Sequence, residues 1–324
     1  MVSKILLGVR RWNPRPGRHS EAVAIMTDWF LSLEGTDAGH RLALALALLA
    51  AVLHAVFGAM QKGRHDPWIT RGAIDLSYGL MAVPLVLFVV PFPKAHMWPL
   101  FATAVVIHIV YKLLQARAYS LGAYTVVYPV VRGTGPLITV LAAGMVFQEH
   151  YAPLQWLGVA VLVSGIFGLA LYNLVKTKVD RGILYHALIL AFLTGILVAG
   201  YTTFDAYAIR ATRDPFTFLA WFFMFDGIAI PILVHRRLLA LPKGERAPLV
   251  WRGVIGGVVA YFSFGSIMLA TRLDKVGEAA VLRETSTLFA LVIGIVFLKE
   301  TVGPRRAALM GLIALGAVLV EFGG

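Results

Sequence analysis

The sequence predicts an all-α membrane protein, with ten transmembrane helices arranged as two inverted five-helix repeats. Three observations lead there. The chain of 324 residues is 59% hydrophobic and only 14% charged, against about 45–50% and 25% in an ordinary globular chain. Apolar runs of about 20 residues, long enough to cross ~30 Å of hydrocarbon, follow one another with short polar breaks. One 20-residue segment also recurs at an offset of 151 positions. Runs of this kind, without strict alternation, suit helices rather than a barrel. The composition excludes a soluble enzyme and a disordered tail. The absence of cysteine excludes disulfides and thiolate metal sites. The net charge of +12 is scattered over short loops, which points to anionic lipid headgroups and topology rather than nucleic acid.

Residues 1–40 read as a basic N-terminal leader, interfacial or disordered, with Lys4, Arg10, Arg11, Arg15 and Arg18 broken by Pro14, Pro16 and Gly17. No apolar stretch followed by a small-residue cleavage site marks a signal peptide. Met26 is a second candidate start, and MTDWFLSLEG is expected to lie along the membrane interface through Trp29, Phe30 and Leu33. Spans are expected near 42–60, 72–91, 97–117, 123–147, 153–172, 183–207, 215–234, 251–271, 277–298 and 304–322. Polar groups interrupt 72–91, 123–147 and 277–298. The breaks fall where turn residues cluster, as at Pro91 and Pro93, Asp214–Pro215 and Gly303–Pro304. Residues 41–172 then form the first five-helix repeat, 173–182 a linker, and 183–324 the second repeat.

The recurring segment is VVRGTGPLITVLAAGMVFQE at 130–149 and VLRETSTLFALVIGIVFLKE at 281–300. Apolar identities between membrane segments carry little weight. The paired charges carry more: in each copy an arginine, Arg132 or Arg283, stands 17 positions before a glutamate, Glu149 or Glu300. Each copy ends the fourth of five spans. An odd number of spans per repeat turns the second copy upside down, the plan on which secondary transporters place a solute site between halves.

At these residues the chain resembles the drug/metabolite transporter superfamily, in particular its ten-helix EamA type. The resemblance rests on YPVVRGTGP, on the helix ends Gln148–Glu149 and Lys299–Glu300, and on the closing helices LQWLGVAVLVSGIFGLAL and RAALMGLIALGAVLVEF. It covers about residues 41–322. It implies two five-helix halves around a cavity, alternating access, and outward movement of amino acids, related metabolites or drugs. It also implies a multi-pass protein of a bacterial inner membrane with cytoplasmic termini, whereas the loop charges favour termini outside. The four-helix multidrug members of the superfamily carry a glutamate in their first helix. Here that helix offers His54 and no acid, which weakens the case for a cationic drug.

A charge within the bilayer costs at least ~2.5–3.5 kcal/mol, so it needs a partner or a watery cavity. His108, Lys112 and Gln115 share one face of the third span, with Lys112 able either to face the cavity or to snorkel. Tyr124, Tyr128 and Arg132 share a stripe on the fourth, where Pro129 and Pro136 predict an interrupted helix or a simple kink. Tyr201 joins Asp205 on the sixth, and Arg283 on the ninth is the mate of Arg132. These residues (His108, Lys112, Gln115, Tyr124, Tyr128, Arg132, Tyr201 and Arg283) are the candidate solute-binding set. Glu284, Asp205 and Asp75 are the candidate proton carriers, each with a plain ion pair as the alternative. With Lys112, Arg132 and Arg283 against Glu284 as the clearest deep anion, the cavity is expected to be electropositive.

The expected function is a secondary active transporter, working as an exporter by alternating access with proton coupling, for an amino-acid-like or other organic anion. A membrane sensor or scaffold, or a flippase of a lipid-linked substrate, are the alternatives. No enzymatic activity, cofactor or metal is expected: GxxxxGK[ST] and HExxH are absent and the histidines stand far apart. The expected partners are a small solute and membrane lipids, with no nucleic acid, and the chain is a monomer or homodimer. A GxxxG at Gly253 and Gly257 permits a close helix crossing.

Overall fold

The computed structural model describes residues 18–61, 65–121, 124–176, 181–296 and 303–324, and among these every regular element is a helix. In chain order they are α1 (Arg18–Ser32), α2 (Asp37–Gln61), α3 (Pro67–Phe88), α4 (Met97–Leu121), α5 (Tyr124–Val146), α6 (Pro153–Lys176) and α7 (Arg181–Ala211). Then follow α8 (Pro215–Asp226), α9 (Ala229–Leu239), α10 (Lys243–Leu273), α11 (Val276–Arg283), α12 (Ser286–Val296) and α13 (Pro304–Phe322). Among the described residues, seven stretches are long and apolar enough to cross a membrane, the sixth of them Pro215–Leu239. Outward faces are apolar too, as at Leu80, Leu87, Phe88 and Leu233. A protein in water hides such rows, whereas hydrocarbon accepts them.

Helix starts follow capping rules. The Asp66 carboxylate accepts the amides of Trp68 and Ile69 at 2.8 and 3.2 Å. Asp214 accepts those of Phe216 and Thr217 at 3.0 and 3.1 Å. In both a proline at the first helical position supplies a preset φ where no amide is needed.

Three local expectations differ from the structure. The fourth span, expected to be interrupted at Pro129 and Pro136, is the unbroken α5; membrane helices tolerate proline where neighbours re-satisfy the freed carbonyls. A break does occur where none was foreseen, between α8 and α9 at Gly227–Ile228. There α3 crosses so closely that a Cβ on Gly227 would stand 2.6 Å from Gly79 Cα and 2.8 Å from Asp75 O. The third difference is α1, where Phe30 is turned inward at 2% exposure while Trp29 faces out at 56%. Phe30 packs with Ala43, Ala47 and Ile267, so it lies within the protein rather than along the interface. Of the three spans that polar groups interrupt in the sequence, 277–298 is broken as a helix, between α11 and α12 at Glu284–Thr285.

Two close seams hold the bundle. α6 and α13 meet so tightly that a Cβ on Gly316 would lie 2.5 Å from Leu162 N and 2.6 Å from Gly158 O. The GxxxG of α10 packs within the chain: Cβ atoms on Gly253 and Gly257 would meet Ala73 O at 2.9 Å and Ser77 Cβ at 2.7 Å. Helix α3 covers that face. Beyond these seams, α10 packs on α2 and α3, α7 on α4 and α5, α3 on α8 and α9, and α2 on α11 and α12.

Candidate functional site

The interior holds two ionic clusters, each built at a broken helix. The first surrounds Lys112, which is 4% exposed. Its Nζ donates to Asp75 Oδ2 at 2.9 Å, to Asp226 Oδ2 at 2.9 Å and to Tyr78 Oη at 3.1 Å. The break after α8 leaves the carbonyl of Asp226 free to accept a further bond from Nζ at 3.3 Å. A helix C-terminus carries partial negative charge, so its carbonyls favour the ammonium as well. Arg71 Nε closes the other side of Asp75 at 2.6 Å, and Tyr78 donates to Asp226 at 2.6 Å. Lys112 neither snorkels nor stands free.

His108, one turn along α4, lies between two carboxylates. Its Nε2 is 2.8 Å from Asp205 Oδ2 and its Nδ1 is 3.9 Å from Asp226 Oδ1. Tyr201 and Phe222 flank the ring at centroid distances of 4.7 and 5.0 Å. Gln115 bonds the hydroxyl of Tyr111 at 2.7 Å. It also lines, with Asp66, Trp68, Arg71, Lys112 and Tyr119, a cavity between the start of α3 and the end of α4.

The second cluster lies where α5 meets the α11–α12 break. Arg132 Nη2 donates to Ser286 Oγ at 2.5 Å, and its guanidinium stands 5.7 Å from the Tyr128 ring centroid. Its Nε lies 2.9 Å from Glu284 Oε2, yet neither Nε nor either oxygen of Glu284 is aligned for a hydrogen bond. Arg283, 4% exposed, keeps an Nε with no hydrogen-bond partner. It lines a narrow hollow with Tyr201, Thr202, Asp205 and Thr271. Two more buried atoms without partners, Thr202 Oγ1 and Asp205 Oδ1, belong to residues of the same lining. The hollow measures about 10 Å³, room for about one water.

The expected residues therefore divide. Arg283, Tyr201 and Asp205 share the hollow, and Arg132 and Glu284 form the adjoining pair. Lys112 and Asp75 belong to the first cluster, in which Asp226 Oδ1 has no hydrogen-bond partner, while the side chain of Tyr124 lies outside the described residues. The expected electropositive cavity is a correction: among the described residues the half-buried Arg71 and the buried Lys112, Arg132 and Arg283 face Asp75, Asp205, Asp226 and Glu284. Burial in low dielectric demands this balance. Asp226 and Thr202 belong to neither of the expected sets. The Gly227 that ends α8 was the available signal for the first. Nothing in the sequence marked the second.

Outside the interior, His40, Asp274 and Glu278 offer ligand atoms within 4.8 Å of one another. Lys275 Nζ already sits on Glu278 Oε1 at 2.8 Å and His40 bonds Asp274, so the group is a neutralised ion network.

An all-helical bundle with lipid-compatible faces and buried, balanced charges defines a polytopic membrane protein. Residues 186–322 match the model of the EamA-like transporter family, so over that stretch the expected resemblance is borne out, and it supports the broad class of membrane transporter. A solved crystal structure is similar to the chain at a TM-score of 0.67 and 17% identity, over 89% of this chain and 99% of that one, a likeness of fold alone. No curated protein matches the sequence.

Proposed function

We propose that the chain is a secondary transporter for an amino-acid-like zwitterion, exported by alternating access between two inverted five-span halves. One observation carries the solute class: a guanidinium and a carboxylate, Arg283 and Asp205, line one buried hollow with unpartnered Nε and Oδ1 atoms. Leaving buried polar atoms unmade costs about 1–3 kcal/mol each, a cost a bound solute removes. Arg283 suits a carboxylate and Asp205 an ammonium. In the present state the hollow is too small for either group together with a side chain, so a solute enters when the halves part.

The packing supports the inverted arrangement. Exchange α2 with α7, α3 with α8–α9, α4 with α10, α5 with α11–α12, and α6 with α13. The pair α2–α10 then becomes α7–α4, α5–α7 becomes α11–α12 on α2, and α3–α10 becomes α8 on α4. The pairs α6–α13 and α3–α8 map onto themselves. Discontinuous helices at the second and fourth positions of the second half put backbone ends and charges at mid-depth, where such transporters bind.

The test is counterflow. Purified protein in sealed liposomes, preloaded with unlabelled amino acids, is given the same twenty amino acids carrying radiolabel at equal pH. At least one is expected to exchange, and Arg283→Gln is expected to lower that exchange at least tenfold. No exchange by the wild type overturns transport of this class and returns the chain to the sensor or scaffold alternative. Undiminished exchange by the variant overturns the assigned site.

A further inference from the structure

The first turn of α3 and the C-terminal part of α4 enclose a cavity apart from the hollow. On α3, Trp68 and Arg71 stand three positions apart and so share one face. On α4, Lys112, Gln115, Ala116 and Tyr119 are spaced by three and four and share another. Both faces line the cavity, and Ile230, just past the break at Gly227–Ile228, adds a wall from α9. It measures about 310 Å³, within the range of small-molecule sites, about 300–1,000 Å³. Among the described residues none lines both this cavity and the hollow of Arg283 and Asp205.

The lining offers donors more than acceptors. Arg71 gives Nε to Asp75 at 2.6 Å, but among the described residues no hydrogen bond engages its two Nη nitrogens. Phe57 lies 5.7 Å from the guanidinium carbon, a contact that needs no hydrogen bond. The Arg71 side chain is 18% exposed, so it is reachable. Lys112 supplies field rather than bonds, because its ammonium already meets four acceptors. The carboxylates that balance these cations, Asp75 and Asp226, are not part of the lining. Asp66, the acid that is, turns Oδ1 to the amides of Trp68 and Ile69.

We infer that this cavity is a second ligand site, for a carboxylate with an aromatic or branched apolar body, held by the Nη edge of Arg71. A guanidinium presents parallel N–H groups that match the two oxygens of a carboxylate. Trp68, Tyr119 and Ile230 make much of the wall flat and apolar, which suits a ring or a branched chain. A cationic solute would meet Arg71 and Lys112 against Asp66. A bound carboxylate ties α3 to the α4 wall beside the bonds of Lys112 and Asp75, so it stabilises the fold by mass action. None of this depends on the transport reading.

Binding is read on the full-length protein in detergent, with para-bromobenzoate as the probe. A bromoaromatic quenches the indole it touches, so Trp68 reports directly, and thermal melts with and without probe report independently. Saturable quenching and a raised Tm are expected. Para-bromobenzamide, of the same shape and without charge, is expected to bind at least tenfold more weakly. Arg71→Gln is expected to weaken the probe at least tenfold. Should that variant not fold, because Arg71 also holds Asp75, Ala116→Phe fills the cavity without touching a charge and is expected to abolish saturable binding. No saturable binding by the wild type overturns the site. So does saturable quenching that survives Ala116→Phe or Trp68→Phe. Equal binding of the amide overturns the anion, and displacement of the probe by an equal concentration of inorganic phosphate overturns the carboxylate.

Discussion

The two ionic clusters are built from the same kinds of group and satisfied to different degrees. Around Lys112 the ammonium has two carboxylates, a phenol and a helix-end carbonyl within 3.3 Å. Around the α11–α12 break, Arg283 Nε, Arg132 Nε, both oxygens of Glu284, Thr202 Oγ1 and Asp205 Oδ1 have no hydrogen bond. A fold tolerates an orphaned buried group only where something offsets it, whereas a complete network holds helices in place. The first cluster therefore fastens α3, α4 and α8 together. The second is less satisfied, and on the proposed transport reading it is the region to expect solute and movement.

Breaking the first cluster should have the larger effect on stability. Lys112→Met leaves Asp75 with Arg71 and Asp226 with Tyr78 as their remaining side-chain partners, and removing one partner of a buried pair costs about 3–5 kcal/mol. Thermal unfolding in detergent should show a large fall in Tm, or no folded protein. In the second cluster Arg132→Gln strands Glu284, whose geometry is already poor, and removes the bond to Ser286 Oγ. A smaller fall is expected, with Glu284→Gln in the same chain recovering about 1–3 kcal/mol as a coupling energy. A double mutant no more stable than the single one would show that this pair holds nothing. Gly316→Ala tests a region outside both clusters: the added methyl meets backbone of α6, and overpacking of this kind costs about 1–3 kcal/mol, visible as a lowered Tm with charge networks intact. The smallest effect belongs to Thr202→Val. It exchanges an unpartnered hydroxyl for a methyl and should leave Tm unchanged or raise it slightly. A clear fall would mean that the hydroxyl has a partner in the membrane.

The all-helical, membrane-spanning character was legible because hydrophobic length is a one-dimensional signal. Pairing was not legible. Lys112 meets Asp226 across 114 positions of sequence, and only the crossing of α3 over Gly227, with α4 alongside, brings them together. The unbroken α5 shows the same limit from the other direction. Two prolines state a local preference, and packing by neighbouring helices overrides it. Counting charges in isolation gave an electropositive cavity, because an acid at a helix end looks peripheral until that end is found in mid-bundle.

The repeat's terminal glutamate was recognised before its use could be known. Glu149 Oε1 accepts the amide of Val276 at 2.7 Å, Oε2 accepts that of Gly277 at 3.2 Å, and Tyr151 bonds the same carboxylate. The segment after α5 thus caps the first turn of α11 across at least 127 positions of sequence. On the proposed alternating-access reading, parting the halves at that end would strip the cap, so the turnover rate should depend on how quickly a carboxylate lets go of two backbone amides. The brake on the cycle would then stand well away from the cargo.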